Sequence, residues 1–167
     1  MPYIYREATL NDARALLLHL ETVGGETDNL TFGKEGFRIT EEREARFIER
    51  FRKNPDEVMY VVKDCDTVVA NAVIERERIP RLSHRARLTL TVLRAFWGQG
   101  IGSRLMEMMI NFAKDTGAAV ISLECRADNE RAVSLYTRFG FRTVGTMERY
   151  FNINGEYHSA YLMELLL

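Results

Sequence analysis

The chain of 167 residues has a formal net charge of −1, with 46% hydrophobic and 28% charged residues. This composition is typical of a globular protein and lacks the basic excess that attracts nucleic acid or anionic membrane, so neither partner is expected. No linker-like stretch divides residues 1–167, which predicts a single domain. The start lacks the pattern of a secretion signal and no apolar run reaches the roughly 20 residues that span a bilayer, so we expect a cytoplasmic location.

The N-terminal third of the chain predicts one strand and two helices. Alternating residues at Tyr3–Glu7 favour the strand, and a threonine stands where an N-cap would begin each helix, over 9–23 and 40–52. Residues 24–38 lose this periodicity and collect glycines, which predicts a long loop. Because loops of this length are uncommon in compact domains unless they have a function, the loop is a candidate wall of a substrate site.

The rest of the chain alternates between strand and helix periodicity. Its first three runs are consecutive strands, which indicates an antiparallel meander, and Asn154-Gly155 favours a type I′ turn between the last two. The class is therefore α+β with a mixed sheet. The predicted elements are strands Met59–Lys63, Val68–Arg76 and Arg87–Leu93, a helix over 100–116, a strand over 119–125, a helix over 129–139, and strands Arg142–Ile153 and Glu156–Leu166.

A glycine-rich turn separates the third strand of the meander from the helix that follows. Glycines permit positive φ and close approach of the backbone, and the free N–H groups and dipole of the helix start favour a bound anion. The turn therefore predicts a pyrophosphate site, although a purely structural tight turn would have the same pattern. Its sequence is Trp97-Gly98-Gln99-Gly100-Ile101-Gly102-Ser103.

The dinucleotide-binding Rossmann turn holds phosphate in the same way, and Glu124 lies near the position where that fold has its ribose-binding acid. The spacing here is G-x-G-x-G instead of G-x-G-x-x-G, and the preceding strands form a meander instead of βαβ units. Both differences favour another phosphate-binding fold.

A second segment, residues 129–141, reads N-E-R-A-V-S-L-Y-T-R-F-G-F. Together with the glycine turn it resembles the GCN5-related N-acetyltransferase (GNAT) superfamily, whose signatures are Q/R-x-x-G-x-G/A and N-x-x-A-x-x-L-Y-x-x-x-G-F. The second segment matches every named position. In the turn, Gly100 and Gly102 match, whereas Trp97 replaces the usual Gln or Arg. The strand Leu123-Glu124-Cys125 is also similar to that of the ribosomal-protein N-acetyltransferase branch.

The resemblance implies a mostly antiparallel, seven-stranded sheet with about four helices, in which the strands at 87–93 and 119–125 splay apart in a V. It also implies acetyl-CoA as co-substrate, with its pantetheine arm pairing with backbone in the gap as in β-augmentation, and a possible homodimer. For Asn129, a plain N-cap role is the alternative to binding pantetheine. The implied binding residues are Leu90, Thr91, Val92, Gly98, Gln99, Gly100, Ile101, Gly102, Ser103, Asn129 and Tyr136.

Acetyl transfer to an amine needs an unprotonated amine, a stabilised oxyanion and a proton for the leaving thiolate. Since a lysine-like amine has a pKa near 10.4, a carboxylate can help by accepting its proton, directly or through water. Glu124 is the first candidate, with Glu75 and Glu77 as further ones, and water without a carboxylate is the alternative. Tyr136 is the candidate general acid, and the backbone N–H of Val92 is the candidate oxyanion donor.

These features predict an N-acetyltransferase that moves an acetyl group from acetyl-CoA to a primary amine by direct attack in a ternary complex. A non-catalytic acetyl-CoA sensor or partner-binding module is the competing hypothesis, against which the presence of Glu124 and Tyr136 argues. The acceptor, a small-molecule or peptide amine, stays open among a protein N-terminus, a polyamine, an amino acid and a drug-like amine. Cys65 and Cys125 have neither metal-ligand spacing nor a disulfide framework, so no metal is expected.

Overall fold

The structure, a computed structural model, describes residues 3–167. Its strands and helices confirm the predicted α+β class, with seven strands and four α-helices in the described residues. The strands are β1 Ile4–Glu7, β2 Val58–Asp64, β3 Thr67–Arg76, β4 Arg85–Val92, β5 Val120–Arg126, β6 Arg142–Ile153 and β7 Glu156–Leu166. The helices are α1 Ala13–Glu26, α2 Glu41–Lys53, α3 Ile101–Asp115 and α4 Glu130–Arg138.

The seven strands form one sheet in the order β1-β2-β3-β4-β5-β7-β6. Every neighbouring pair is antiparallel except β4 and β5, which run parallel and belong to the two halves of the sheet. Their pairing stops after three residue pairs, so beyond that point the two strands diverge and the predicted V-shaped opening is confirmed. The three pairs are Arg85 with Val120, Ala86 with Ile121 and Arg87 with Ser122.

Two apolar clusters, one on each face of the sheet, hold the helices in place. On the first face α3 and α4 pack against the middle strands, with Leu105 and Met109 fully buried. On the other face α1 and α2 pack against β2 and β3, with Leu16 and Ile48 buried. Burying a side chain of this size contributes about 1.5–3 kcal/mol. The opening between β4 and β5 is therefore bordered by different helices on its two sides.

The terminal hairpin has the bounds predicted from the sequence. Asn154 and Gly155 connect β6 to β7, with φ of 51° and 89°. Positive φ at both central residues defines the type I′ turn, whose twist matches that of the flanking strands. The prediction of this turn is confirmed.

The first helix differs from its prediction at both ends. Thr9 is followed by a 3₁₀ turn, Leu10–Asp12, before the α-helix begins. Asp12 accepts hydrogen bonds from the Thr9 N–H and hydroxyl, both at 2.8 Å, and from Arg6. At the other end the helix continues to Glu26 instead of ending near residue 23.

The two glycines that suggested a loop start lie inside this last helical turn. A Cβ on Gly24 would lie 2.1 Å from the carbonyl oxygen of Gly33, so the residue is glycine because the following loop packs directly on the helix. The loop prediction was therefore wrong at its N-terminal boundary. No helix within residues 3–167 has the length and apolarity needed to cross a membrane.

Candidate active site

A cavity of about 520 Å³ lies at the diverging ends of the two central strands. This volume falls in the range of small-molecule sites. All of the predicted co-substrate residues line it except Gln99. Residues that the sequence did not single out also contribute. The lining consists of Val23, Thr27, Asn29, Leu30, Leu90, Thr91, Val92, Phe96, Trp97, Gly98, Gly100, Ile101, Gly102, Ser103, Asn129, Arg131, Ala132, Leu135, Tyr136 and Arg138.

The backbone of β4 offers hydrogen-bonding groups to this cavity. The Leu93 N–H donates to the Val69 carbonyl at 2.9 Å, so residues of odd number at the end of β4 bond to β3. Because bonding alternates along an antiparallel strand, Leu90 and Val92 direct their N–H and C=O groups to the other side, where β5 has diverged. The Val92 carbonyl accepts a hydrogen bond from the Trp97 indole at 2.8 Å. The two N–H groups thus face the cavity.

The glycine turn has the backbone shape that exposes the first amides of α3. Gly98 and Gly100 have φ of 75° and 80°, and a Cβ at either position would meet no atom within 4 Å. Glycine is favoured here by conformation and not by crowding. Gln99 turns away from the cavity: its side chain accepts from the Tyr3 hydroxyl at 2.5 Å and donates to the Ala95 carbonyl at 3.1 Å. Its side chain therefore stabilises the turn from outside.

Trp97 stands at the position where the family signature has Gln or Arg. Its indole N–H bond to Val92 fixes the ring beside the turn. The Arg131 guanidinium of α4 lies 4.9 Å from the centre of this ring, a cation–π distance. Both side chains line the cavity, so an arginine from another helix stands next to the glycine turn.

Asn129 and Tyr136 lie at opposite ends of α4. The Asn129 side-chain oxygen accepts from the Ala132 N–H at 3.2 Å, which makes it an N-cap and leaves its NH₂ group able to donate to a ligand. Tyr136 is buried against Phe141. Burial raises the pKa of Tyr136 well above the usual 10, and the neighbouring Cys125 raises it further. The phenol therefore stays protonated at physiological pH.

The two cysteines lie in different surroundings. Cys125 is buried near Tyr136, and this burial raises its pKa to about 11. It is therefore a thiol, not a reactive thiolate, near neutral pH. Cys65 is exposed in the β2–β3 turn. Within residues 3–167 no group of three or more His, Cys, Asp or Glu side chains could hold a metal ion.

Glu124 lies outside the cavity lining. Its neighbours Leu123 and Cys125 are buried towards α3 and α4, so alternation along β5 directs Glu124 to the α1–α2 face. There it accepts a hydrogen bond from Arg87 Nη2 at 2.6 Å. Of the other candidate bases, Glu75 bonds to Arg50 and Glu77 is exposed beyond the end of β3.

Comparison with known proteins decides the family. Residues 26–141 match the family model described as Acetyltransferase (GNAT) family. The chain belongs to this family. The predicted superfamily is thereby confirmed, and the match supports the predicted enzyme class.

The GNAT chain is similar to N-acetyltransferases that have different names. It is 38% identical over 90 residues to the N-alpha-acetyltransferase RimI of Mycobacterium tuberculosis, covering 53% of this chain and 54% of that protein. It is 36% identical over 98 residues to the L-amino acid N-acetyltransferase AaaT of Escherichia coli, covering 58% and 60%. The match thus spans less than two thirds of either relative.

Solved structures resemble the GNAT chain over nearly its whole length. A GNAT-family acetyltransferase from Streptococcus pneumoniae superposes with a TM-score of 0.96 at 27% identity, covering 99% of this chain and all of that one. An acetyltransferase from Salmonella typhimurium, solved with acetyl-CoA, superposes with a TM-score of 0.86 at 17% identity, covering 99% and 94%. At 17% identity, the similarity to the Salmonella typhimurium protein is evidence for the fold alone.

The GNAT chain also has a buried histidine behind Thr91 of the cavity lining, which the sequence did not single out. His19 of α1 is 2% exposed. Its Nδ1 lies 3.1 Å from the Val68 carbonyl and its Nε2 lies 2.8 Å from the Thr91 hydroxyl. A carbonyl only accepts, so Nδ1 carries the proton and Nε2 accepts from Thr91. The sequence signal that could have identified this residue is a histidine between Leu16 and Leu20 on the apolar face of the predicted helix.

Burial lowers the pKa of His19 to about 4, which predicts a pH dependence of stability in the GNAT chain. In the unfolded chain the imidazole gains a proton near pH 6.5, whereas the folded protein resists protonation until about pH 4. Stability is therefore lost as the pH falls through this window. Between pH 7 and pH 5 the expected loss from this residue is about 2 kcal/mol.

Urea unfolding followed by circular dichroism at pH 7 and pH 5 measures this effect. His19→Gln should lose less stability between the two pH values than the unsubstituted protein, whatever its stability at pH 7. His84→Gln, which changes an exposed histidine, should lose as much as the unsubstituted protein. An unchanged pH slope in His19→Gln would contradict the assignment.

Proposed function

We propose that this chain is an acetyl-CoA-dependent N-acetyltransferase in which the amine attacks the thioester directly within a ternary complex. The observation that carries the proposal is the single cavity that joins the glycine turn, the β4 backbone and Tyr136. A phosphate cradle and a buried proton donor that line one cavity suit a thioester whose reactive carbon lies near Tyr136.

In this proposal the co-substrate is held mainly by backbone groups. The amides at the start of α3 receive the pyrophosphate, because the helix dipole and unpaired N–H groups favour an anion. The Leu90 backbone and the second lone pair of the Val92 carbonyl pair with the pantetheine amides, and the Asn129 NH₂ group donates to the same arm. Because these contacts come from main chain and a cap residue, replacement of Gln or Arg by Trp97 leaves them in place.

The reaction forms a bond between the amine nitrogen and the thioester carbonyl carbon, and the carbon–sulfur bond breaks. The free amine nitrogen loses one proton and the sulfur gains one, and an acceptor that arrives as an ammonium first releases one further proton to solvent. The Val92 N–H stabilises the oxyanion. Glu124, which stays the predicted base, receives the amine proton directly or through water. Since the pKa of Tyr136 lies above that of a thiol, near 8.5, its hydroxyl acts by donating to the sulfur as charge develops.

Release of free CoA, followed with a thiol reagent across a panel of amines, tests the proposal. An N-acetyltransferase releases CoA only when a suitable amine is present, and the acetylated amine is found by mass spectrometry. Binding of acetyl-CoA without release for any amine would instead support a non-catalytic sensor. The relatives are named as an N-alpha-acetyltransferase and an L-amino acid N-acetyltransferase, so the family alone leaves the acceptor class open.

Arg131 is expected to contribute to the phosphate end of the site. Stacking on Trp97 holds its guanidinium beside the glycine turn, where it can bond to the phosphate groups of acetyl-CoA. A hydrogen bond to a charged group contributes about 1.5–3 kcal/mol, so Arg131→Gln should raise the Kd of acetyl-CoA about tenfold or more. Trp97→Ala should have a similar effect because the ring positions the arginine.

Isothermal titration calorimetry with acetyl-CoA and with acetyl-pantetheine separates this role from general damage. Acetyl-pantetheine lacks the phosphates, so its Kd should be the same in Arg131→Gln and the unsubstituted protein. Arg43→Gln, an exposed change on α2, serves as the charge-matched control. Equal weakening of both ligands by Arg131→Gln would assign the residue to the pantetheine end or to folding.

A further inference from the structure

We infer that the acceptor carries a carboxylate next to its amine, as a free α-amino acid does, and that Arg87 and Glu124 recognise these two groups. The inference rests on the proposed function and names the substrate class of the same site. It is carried by an ion pair between Arg87 and Glu124 that bridges the two central strands where they separate.

Four charged side chains form a row across the α1–α2 face of the sheet. Arg50 of α2 donates to Glu75 of β3 at 2.5 Å, and Glu75 is the direct register partner of Arg87 on β4. Arg87 in turn donates to Glu124 on β5 at 2.6 Å. The four charges alternate in sign along the row, and their sum is zero. The last two members present a cation and an anion side by side, which is the arrangement that a ligand with adjacent opposite charges requires.

The end of the row remains open to a ligand. The side chains of Arg87 and Glu124 are 47% and 24% exposed, so both are accessible from the face opposite α3 and α4. An exposed pair of this kind contributes only about 0–1 kcal/mol, so exchanging each partner for a charged group of the ligand costs little. The pair can therefore be replaced by two new ion pairs with the acceptor.

The strand directions orient such an acceptor. β4 and β5 run parallel from their paired ends to their open ends, and Arg87 is the register partner of Ser122. Glu124 lies two residues further towards the open end. If the acceptor carboxylate binds Arg87 and its ammonium binds Glu124, the nitrogen lies on the side of the open end. That is the direction of Val92 and Tyr136, where the thioester is proposed to lie.

Other amine classes fit this pair less well. A polyamine brings a second cation towards Arg87, and like charges at contact distance are unfavourable. A peptide N-terminus can bind Glu124 through its ammonium but has no carboxylate next to it, so Arg87 gains no new partner and keeps only its neighbour Glu75 on β3. A free amino acid satisfies both charges at once.

The experiment measures KM for four kinds of acceptor: free α-amino acids, the C-terminal amides of the best of these, an alanine tripeptide and spermidine. We expect the free acid to have a KM about fivefold below that of its amide, because an ion pair with the partly exposed Arg87, worth up to about 1 kcal/mol, is lost in the amide. In Arg87→Gln this ratio should fall to near one through a rise in the KM of the acid. The Kd of acetyl-CoA should not change.

Arg85→Gln is the matched control. Arg85 lies on the same face of β4, two residues before Arg87, and also pairs across the sheet, with Glu164 of β7, but at the closed end of the strands. Its loss should leave the acid-to-amide ratio unchanged. Glu124→Gln should raise the KM of every acceptor, because each one presents an ammonium.

A KM for the amides, the tripeptide or spermidine that is as low as the KM of the free acids would overturn the inference. A uniform rise of all KM values in Arg87→Gln would overturn it as well. Calorimetric titration of the best amino acid into CoA-saturated protein separates this failure from failure of the proposed function. If no amine releases CoA, the transferase proposal fails. Loss of amino acid binding in Arg87→Gln but not in Arg85→Gln would still support the recognition site.

Discussion

Replacing Tyr136 with phenylalanine is expected to lower kcat by about 100-fold or more, because a positioned proton donor contributes on the order of 10²–10⁴ in rate. The substitution removes only the hydroxyl, and the ring can keep its packing against Phe141. The Kd of acetyl-CoA should therefore stay within about twofold, since the proposed binding contacts come from β4, the glycine turn and Asn129. Steady-state kinetics with a saturating amine and calorimetry with acetyl-CoA measure the two quantities.

Tyr60→Phe is the control for this prediction. Tyr60 lies on β2, outside the cavity, and burial likewise raises the pKa of its phenol. Loss of its hydroxyl should leave kcat unchanged. The raised pKa of Tyr136 also predicts no alkaline fall in kcat from this residue below about pH 10, because the phenol stays protonated there. Unchanged turnover in Tyr136→Phe would remove the hydroxyl from the mechanism.

Features set by neighbouring residues could be predicted from the sequence. The Asn154-Gly155 turn requires positive φ at two consecutive positions, so local chemistry alone gave the hairpin and its bounds. The glycine turn was recognisable for the same reason, because Gly98 and Gly100 adopt a conformation that other residues disfavour. The single domain, the cytoplasmic location and the homodimer stay predictions.

Contacts between distant segments could not be predicted in this way. His19 and Thr91 are 72 positions apart, and Arg87 and Glu124 are 37 apart. Strand alternation places Glu124 on one face of β5, but only the register of β4 against β5 decides which cation stands beside it. The sequence therefore identified a candidate base without its ion-pair partner, and the partner is what suggests the acceptor class.

Gly24 shows how a single tertiary contact overrides a local signal. The sequence treats it as a helix breaker, whereas the structure places it in the last turn of α1 against the Gly33 carbonyl. Gly24→Ala should destabilise the protein by about 1–3 kcal/mol, because a Cβ 2.1 Å from a backbone oxygen forces the loop away. For a chain of this size the melting temperature falls by about 2–4 °C per kcal/mol.

Gly25→Ala is the matched control in the same turn of the helix. Its new Cβ would lie 3.6 Å from the Lys34 Cβ, an ordinary contact, so helix propensity dominates and stability should rise by up to about 1 kcal/mol. The displaced loop contributes Thr27, Asn29 and Leu30 to the cavity. Gly24→Ala should therefore also raise the KM of acetyl-CoA or of the amine, and equal melting temperatures for the two variants would contradict the contact.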